Sequence, residues 1–79
     1  MKENYFEEIR IRFIGTAIAT NDYAMDKDVI RNRVNYGRCI SWGQVLRDMG
    51  HKINLSVQED DGVLKIPFLI IDGKKNQLL

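Results

Sequence analysis

The segment from residue 26 to residue 50, DKDVIRNRVNYGRCISWGQVLRDMG, constrains the fold of this chain more than any other stretch. Asp26 is a good N-cap, and Gly37 and Gly50 are of the type that ends a helix in the left-handed conformation. Ser41 and Gln44 have the spacing of a capping box directly after Gly37. The pattern therefore predicts two short helices, 26–37 and 41–50, separated by a tight break.

The second predicted helix has a regular apolar stripe. Trp42, Val45, Leu46 and Met49 follow the spacing of a buried helical face, so we expect Trp42 to anchor the core. Two helices with so short a connection pack at an angle, which is the helix-turn-helix arrangement. In the first helix Arg33 projects between two apolar faces, and a buried arginine needs an anionic or hydrogen-bonded partner.

The flanking segments read as β structure. Residues 9–14 alternate apolar and basic side chains, which predicts a half-buried strand. After the helices, alternation over 53–57 and an apolar run over 63–71 surround the hairpin signal Asp61-Gly62, and Asp72-Gly73 is a second turn signal. Pro67 interrupts the apolar run, and residues 68–71 fit either an exposed edge or a central buried strand. The predicted fold class is α+β: a strand, a helix-turn-helix and a C-terminal β-hairpin.

Length and reactive residues narrow the range of functions. A chain of 79 residues is one domain, 1–79, and so small a core favours a homo-oligomer. Cys39 and His51 are the single cysteine and histidine, so we expect no disulfide, metal, cofactor or nucleophile–base pair, and no enzymatic activity. The charged N-terminus and the shortness of the longest apolar run predict a cytoplasmic protein without a signal peptide or a membrane partner.

Positive charge is concentrated in the middle of the chain. Residues 26–52 contain six basic and three acidic side chains, a net of +3, while the whole chain is only +1. One interpretation of Arg31, Arg33, Arg38 and Arg47 is a nucleic-acid footprint, in which guanidinium groups hold phosphates and reach base edges. The other is a solvated surface with ordinary ion pairs. Gln44 could likewise read adenine or only close the capping box.

The order of elements resembles the winged-helix variant of helix-turn-helix domains, in which a β-hairpin follows the recognition helix. Ile30, Arg33 and Gln44 lie in a segment, IRNRVNYG followed by SWGQVL, that is similar to small helix-turn-helix modules of phage proteins. Those modules carry an I-x-x-R-x-x-x-G run, matched here by Ile30, Arg33 and Gly37. The resemblance implies a dimeric DNA-binding regulator from a phage or mobile element. With the basic residues above, the predicted contact residues are Arg31, Asn32, Arg33, Asn35, Arg38, Gln44 and Arg47.

Two other functions fit the same sequence. The chain could be a protein-interaction module, such as a phage-type inhibitor of a host protein, binding through its apolar C-terminal strand or its helices. It could also be an oligomeric binder of a small anionic ligand, held by Arg33 and Tyr36.

Overall fold

Two long helices come first in the chain, and short strands follow them. The computed structural model describes residues 2–22 and 28–79; the predicted N-cap Asp26 lies outside them. The helices are α1 (Lys2–Asn21) and α2 (Val29–Asp48). The strands are β1 (Ile53–Leu55), β2 (Gln58–Asp60), β3 (Val63–Lys65), β4 (Phe68–Ile71) and β5 (Lys74–Gln77). The predicted α+β class is confirmed, with helices preceding a set of antiparallel strands.

The predicted strand at 9–14 is wrong, because this segment lies inside α1. The fully buried residues Phe13, Ala17 and Thr20 recur at the spacing of one helical face, whereas Ile11 is 60% exposed. Ion pairs also support the helix: Glu7 with Arg10 at 2.8 Å and Glu8 with Arg12 at 3.3 Å. The alternation of apolar and basic residues over this short segment is compatible with the period of a strand and with that of a helix. Packing selects the helical period.

The predicted break at Gly37 is also wrong, and residues 26–50 do not form a helix-turn-helix. α2 is continuous and buries Asn32, Cys39, Gly43 and Leu46, a stripe that stays in phase across Gly37. An interior glycine costs a helix only about 1 kcal/mol relative to alanine. The free energy gained by burying this stripe exceeds the cost of the glycine, so the helix does not end at Gly37.

The predicted capping box does not form, because both of its residues bond within the helix. The Ser41 hydroxyl donates to the Gly37 carbonyl at 3.1 Å, and the Gln44 amide donates to Asp48 at 2.9 Å. The N-cap of α2 is Asp28, whose carboxylate accepts from the Arg31 N–H at 2.9 Å.

Gly50 ends α2 as predicted. Its φ of +98° is in the left-handed region, and its N–H donates to the Arg47 carbonyl at 2.9 Å. The His51 N–H donates to the Leu46 carbonyl at 3.0 Å. These two bonds form the Schellman motif and satisfy carbonyls that the helix leaves unpaired.

The strands form a three-stranded antiparallel sheet, β1-β4-β5, and a separate hairpin, β2-β3. Both predicted turns are confirmed: Asp61-Gly62 joins β2 to β3 and Asp72-Gly73 joins β4 to β5, with positive φ at all four residues. Pro67 separates β3 from β4, so the predicted 63–71 strand is two strands. β4 is the central strand, which settles the choice left open for residues 68–71.

The core lies between the helix pair and the sheet. Its buried members are Phe13, Ala17, Cys39, Leu46, Ile53, Ile66, Leu69 and Ile71. Trp42 packs partly buried against this cluster. Gly43 of α2 packs directly against Phe13 of α1, since an added Cβ would lie 3.3 Å from the Phe13 ring.

Arg33 is not buried, contrary to the prediction. Its side chain is about half exposed, lies 3.6 Å from Glu59 of β2, and donates to the Gly62 carbonyl at 3.3 Å. The predicted anionic partner is therefore present, but at the surface, where such a pair contributes little to stability.

Candidate nucleic-acid interface

A groove runs between α1 and α2, and the described residues that line it all belong to these two helices. It has a volume of about 340 Å³. Its lining residues are Arg12, Gly15, Thr16, Ala19, Asn35, Arg38 and Trp42. Helical periodicity explains the set: positions 12, 16 and 19 share one face of α1, and positions 35, 38 and 42 share one face of α2.

Two guanidinium groups give the groove its positive charge. Arg12 lies over the Trp42 indole, with its Cζ 5.9 Å from the ring centroid, and also pairs with Glu8. Arg38 is exposed and makes no hydrogen bond or ion pair with any other described residue. Arg12 therefore has a cation–π partner and an ion-pair partner, while the donors of Arg38 have no partner among the described residues.

The smaller polar groups of the groove leave acceptors available. The Asn35 amide donates to the Ala19 carbonyl at 3.3 Å, and the Thr16 hydroxyl donates to the Arg12 carbonyl at 2.7 Å. Among the residues that the structure describes, neither the Asn35 Oδ1 nor the Thr16 Oγ1 accepts a hydrogen bond. The groove thus combines guanidinium donors with carbonyl and hydroxyl acceptors.

Only part of the predicted contact set lies here. Asn35 and Arg38 line the groove. Arg31 is exposed on the same face of α2, four residues before Asn35, and its Nε lies 3.7 Å from the Asp28 carboxylate. These three residues share a surface on which an extended anion could lie.

The other four predicted residues lie elsewhere. Asn32 is fully buried, and its amide group is used by backbone partners, so its predicted surface role is wrong. Arg33 faces the β2-β3 hairpin, Gln44 bonds Asp48, and Arg47 donates to the Ile53 carbonyl at 3.1 Å. The structure therefore divides the basic residues of α2 between two sides of the helix.

Sequence reasoning missed Arg12, Thr16 and Trp42 as groove residues. The alternation over 9–14 predicts Arg12 on the outer face of a strand, and the apolar stripe predicts Trp42 in the core. The spacing of Arg12, Thr16 and Ala19 was the available signal, since it is helical, but it becomes informative only once α1 is known to be a helix.

A second polar cluster joins the end of α2 to the sheet. The His51 Nδ1 lies 2.7 Å from the Asp72 carboxylate, and the Phe6 ring stacks on the imidazole with centroids 3.9 Å apart. The Lys52 N–H donates to the same carboxylate at 2.8 Å. The hydrogen bond from Lys52, and next the one from His51, hold the pKa of Asp72 below its ordinary value.

This cluster has the histidine–carboxylate contact that also occurs in nucleophile–histidine–carboxylate triads. Among the described residues no serine, threonine or cysteine side chain bonds to His51. In that same part of the chain, no group of three His, Cys, Asp or Glu side chains is placed to hold a metal ion. These contacts join the β4-β5 turn to the end of α2.

No family model matches the chain, and neither the curated proteins nor the solved structures contain a match to it. Within the described residues, neither helix is long and apolar enough to cross a membrane.

Proposed function

We propose that this protein is a non-enzymatic nucleic-acid-binding protein and that the groove between α1 and α2 is its contact surface. The observation that carries the proposal is the convergence of Arg12 and Arg38 on one groove that also holds Trp42. Paired guanidinium groups beside an aromatic ring are the elements that bind phosphates and bases together.

The two arginines have different parts in this proposal. Arg38 is exposed and unpaired among the described residues, so a phosphate would gain a charge-assisted bond there without displacing a partner. Arg12 must share its guanidinium between Glu8 and an incoming phosphate. Arg38 should therefore contribute the larger share of affinity.

The β2-β3 hairpin follows α2 as a wing follows a recognition helix, but it does not enter the proposal. Its strand β2 and the turn carry Glu59, Asp60 and Asp61, which would repel a phosphate backbone. We place the contact on the helices alone.

Fluorescence anisotropy with labelled oligonucleotides tests the proposal. We expect binding that weakens steeply between about 50 mM and about 200 mM salt, because neutralised phosphates release counterions. Arg38→Gln should weaken binding and reduce the salt slope by about one unit. No binding to single-stranded or duplex probes at low salt would refute the proposal.

Arg33→Gln is the matched control. It removes the same charge from the same helix, but Arg33 faces Glu59 rather than the groove. It should leave affinity nearly unchanged. Equal losses in the two variants would show that binding depends on overall charge and not on the groove.

A second candidate function is protein recognition, favoured by an exposed apolar stripe on α2. Ile30, Val34 and Val45 are 79%, 47% and 38% exposed and share one side of the helix. Arg31 and Arg38 lie beside this stripe, so the fitting partner is an amphipathic helix with acidic flanks. A second copy of α2 would place like charges together.

Calorimetric titration with a designed helical peptide tests this candidate. The peptide would be about 20 residues long, the length of α2, with a leucine stripe and glutamate flanks. We expect binding that is lost in Val34→Glu and absent for the same peptide with lysine flanks. Equal binding of both peptides, or self-association of the protein through this face, would refute the acidic partner.

A further inference from the structure

We infer that the groove accepts one nucleic-acid strand rather than the side of a duplex. This inference rests on the proposed function and concerns the form of the ligand. It follows from where the cationic residues lie: in the concave space between two helices, not on the protruding face of one.

Reading paired bases in the major groove requires a protein element that enters that groove. That groove is about 12 Å wide and admits one α-helix. The surface that carries Arg12 and Arg38 is two helices wide, and each helix with its side chains is about 10 Å across. This surface is therefore too wide to enter the major groove, and its central residues cannot reach paired bases.

A single strand has the complementary shape, because its backbone and splayed bases can descend into the groove. A volume of about 340 Å³ suits one small ligand unit rather than an extended double-stranded surface. Gly15 and Ala19 leave one wall without bulk, and a Cβ added at Gly15 would meet nothing within 4 Å. The wall is open where a base would enter.

The polar groups in the groove suit an unpaired base. The free Asn35 Oδ1 and Thr16 Oγ1 can accept hydrogen bonds from the N–H groups on the Watson–Crick edge of a base, and this edge is available only when the base is unpaired. The Arg12 guanidinium, held over Trp42, offers a planar cation on which a base can stack. Arg38 and Arg31 then lie where the following phosphates pass.

Trp42 provides a direct reporter, since it is the single tryptophan of the chain. The experiment titrates the protein with an oligonucleotide of about 12 nucleotides of mixed sequence and with the blunt duplex of the same sequence, at low salt. We expect the single strand to bind at least about tenfold more tightly than the duplex and to change Trp42 emission at saturation.

Two glycine variants separate groove occupation from general charge. Gly15→Gln fills the groove wall without changing charge, and it replaces an interior helical glycine with a better helix former. Gly37→Gln makes the same change on α2 outside the groove lining, where an added Cβ also meets nothing. We expect Gly15→Gln to lose single-strand affinity by about tenfold and Gly37→Gln to retain it. Circular dichroism of both variants verifies the fold.

The outcomes are distinct. Duplex binding as tight as single-strand binding would overturn this inference while leaving the proposed function in place. Equal losses in Gly15→Gln and Gly37→Gln, or unchanged Trp42 emission, would also overturn it. Absence of binding to either probe would refute the proposed function itself, and saturation of the groove by inorganic phosphate alone would reassign it to small anions.

Discussion

Asn32 of α2 binds both backbone polar groups of Leu64 on β3. The Leu64 N–H donates to the Asn32 Oδ1 at 2.9 Å, and the Asn32 Nδ2 donates to the Leu64 carbonyl at 2.9 Å. The same Nδ2 donates to the Thr20 carbonyl of α1 at 2.7 Å. One fully buried amide therefore connects both helices to the edge of the hairpin.

Asn21 repeats this arrangement at Ile66, the residue directly after β3. The Ile66 N–H donates to the Asn21 Oδ1 and the Asn21 Nδ2 donates to the Ile66 carbonyl, both at 2.7 Å. The two amides pair with Leu64 of β3 and with Ile66 in the way a neighbouring strand would, on the side away from β2. They close an edge that would otherwise have unpaired backbone groups.

Asn32→Ala should be strongly destabilising. It removes three hydrogen bonds and leaves buried backbone groups unpaired, each costing about 1–3 kcal/mol, so we expect a loss of about 3 kcal/mol or more. Urea unfolding followed by circular dichroism measures it. Asn35→Ala, which removes one 3.3 Å bond at a half-buried site, is the control and should cost under about 1 kcal/mol. Similar losses for both would contradict the role given to Asn32.

Glycines of α2 should respond in opposite directions to substitution. Gly43→Leu forces a side chain against Phe13, so we expect destabilisation of about 1–3 kcal/mol from overpacking. Gly37→Ala has open space and removes a poor helix former, so stability should rise by about 1 kcal/mol. Thermal unfolding compares both with wild type. A destabilised Gly37→Ala variant would indicate that α2 is interrupted there in solution.

Stability should depend on pH through Asp72. The pKa of this carboxyl is lower in the folded protein, because its charged form accepts hydrogen bonds from the Lys52 N–H and from His51. The stability that Asp72 contributes to the folded protein is therefore present at pH values above the ordinary pKa of aspartate. It is lost as the pH falls through the lowered pKa of Asp72 in the folded protein. Asp72→Asn should be less stable than wild type at neutral pH, and the difference should shrink in acid.

The pH series needs a carboxylate control. Asp48→Asn at the end of α2 removes an acidic group that bonds to Gln44 and not to His51, so it should not reproduce the acid-dependent difference. Unfolding midpoints collected between neutral pH and strong acid make the comparison. A constant difference between Asp72→Asn and wild type across this range would rule out the linkage.

Cys39 should be chemically silent in the native protein. Burial raises the pKa of its thiol to about 12, so almost no thiolate is present at mildly alkaline pH. We expect labelling by a thiol reagent to be slow in native buffer and complete in denaturant, with a native rate that follows unfolding. Rapid stoichiometric labelling under native conditions would contradict the buried position.

Parts of the fold were predictable because the signal is local. Asp61-Gly62 and Asp72-Gly73 predict turns since these residues tolerate positive φ, and Gly50 predicts the end of α2 for the same reason. The α1 prediction failed because residues 9–14 satisfy two periods over a short window. The Gly37 prediction failed because a local stop signal is weaker than a buried stripe that continues past it.

The candidate site was likewise predictable only in part, where the sequence signal is local. The concentration of positive charge predicts Arg38 and the helix-turn-helix resemblance implies Asn35, and both line the groove. Arg12 could not be selected, because its role depends on α1 lying beside α2. Asn32 was chosen as a surface residue, yet its amide is the one that the hairpin edge requires.

The sequence by itself determined the α+β class, the positions of two turns and the end of the second helix, because each depends on residues adjacent in the chain. Only the tertiary structure decided that 2–21 and 29–48 are continuous helices and that two arginines from different helices share a groove. The physical reason is that the burial of a residue depends on elements that are distant from it in the chain. A helix face is selected by what packs against it, and a short sequence window does not contain that partner.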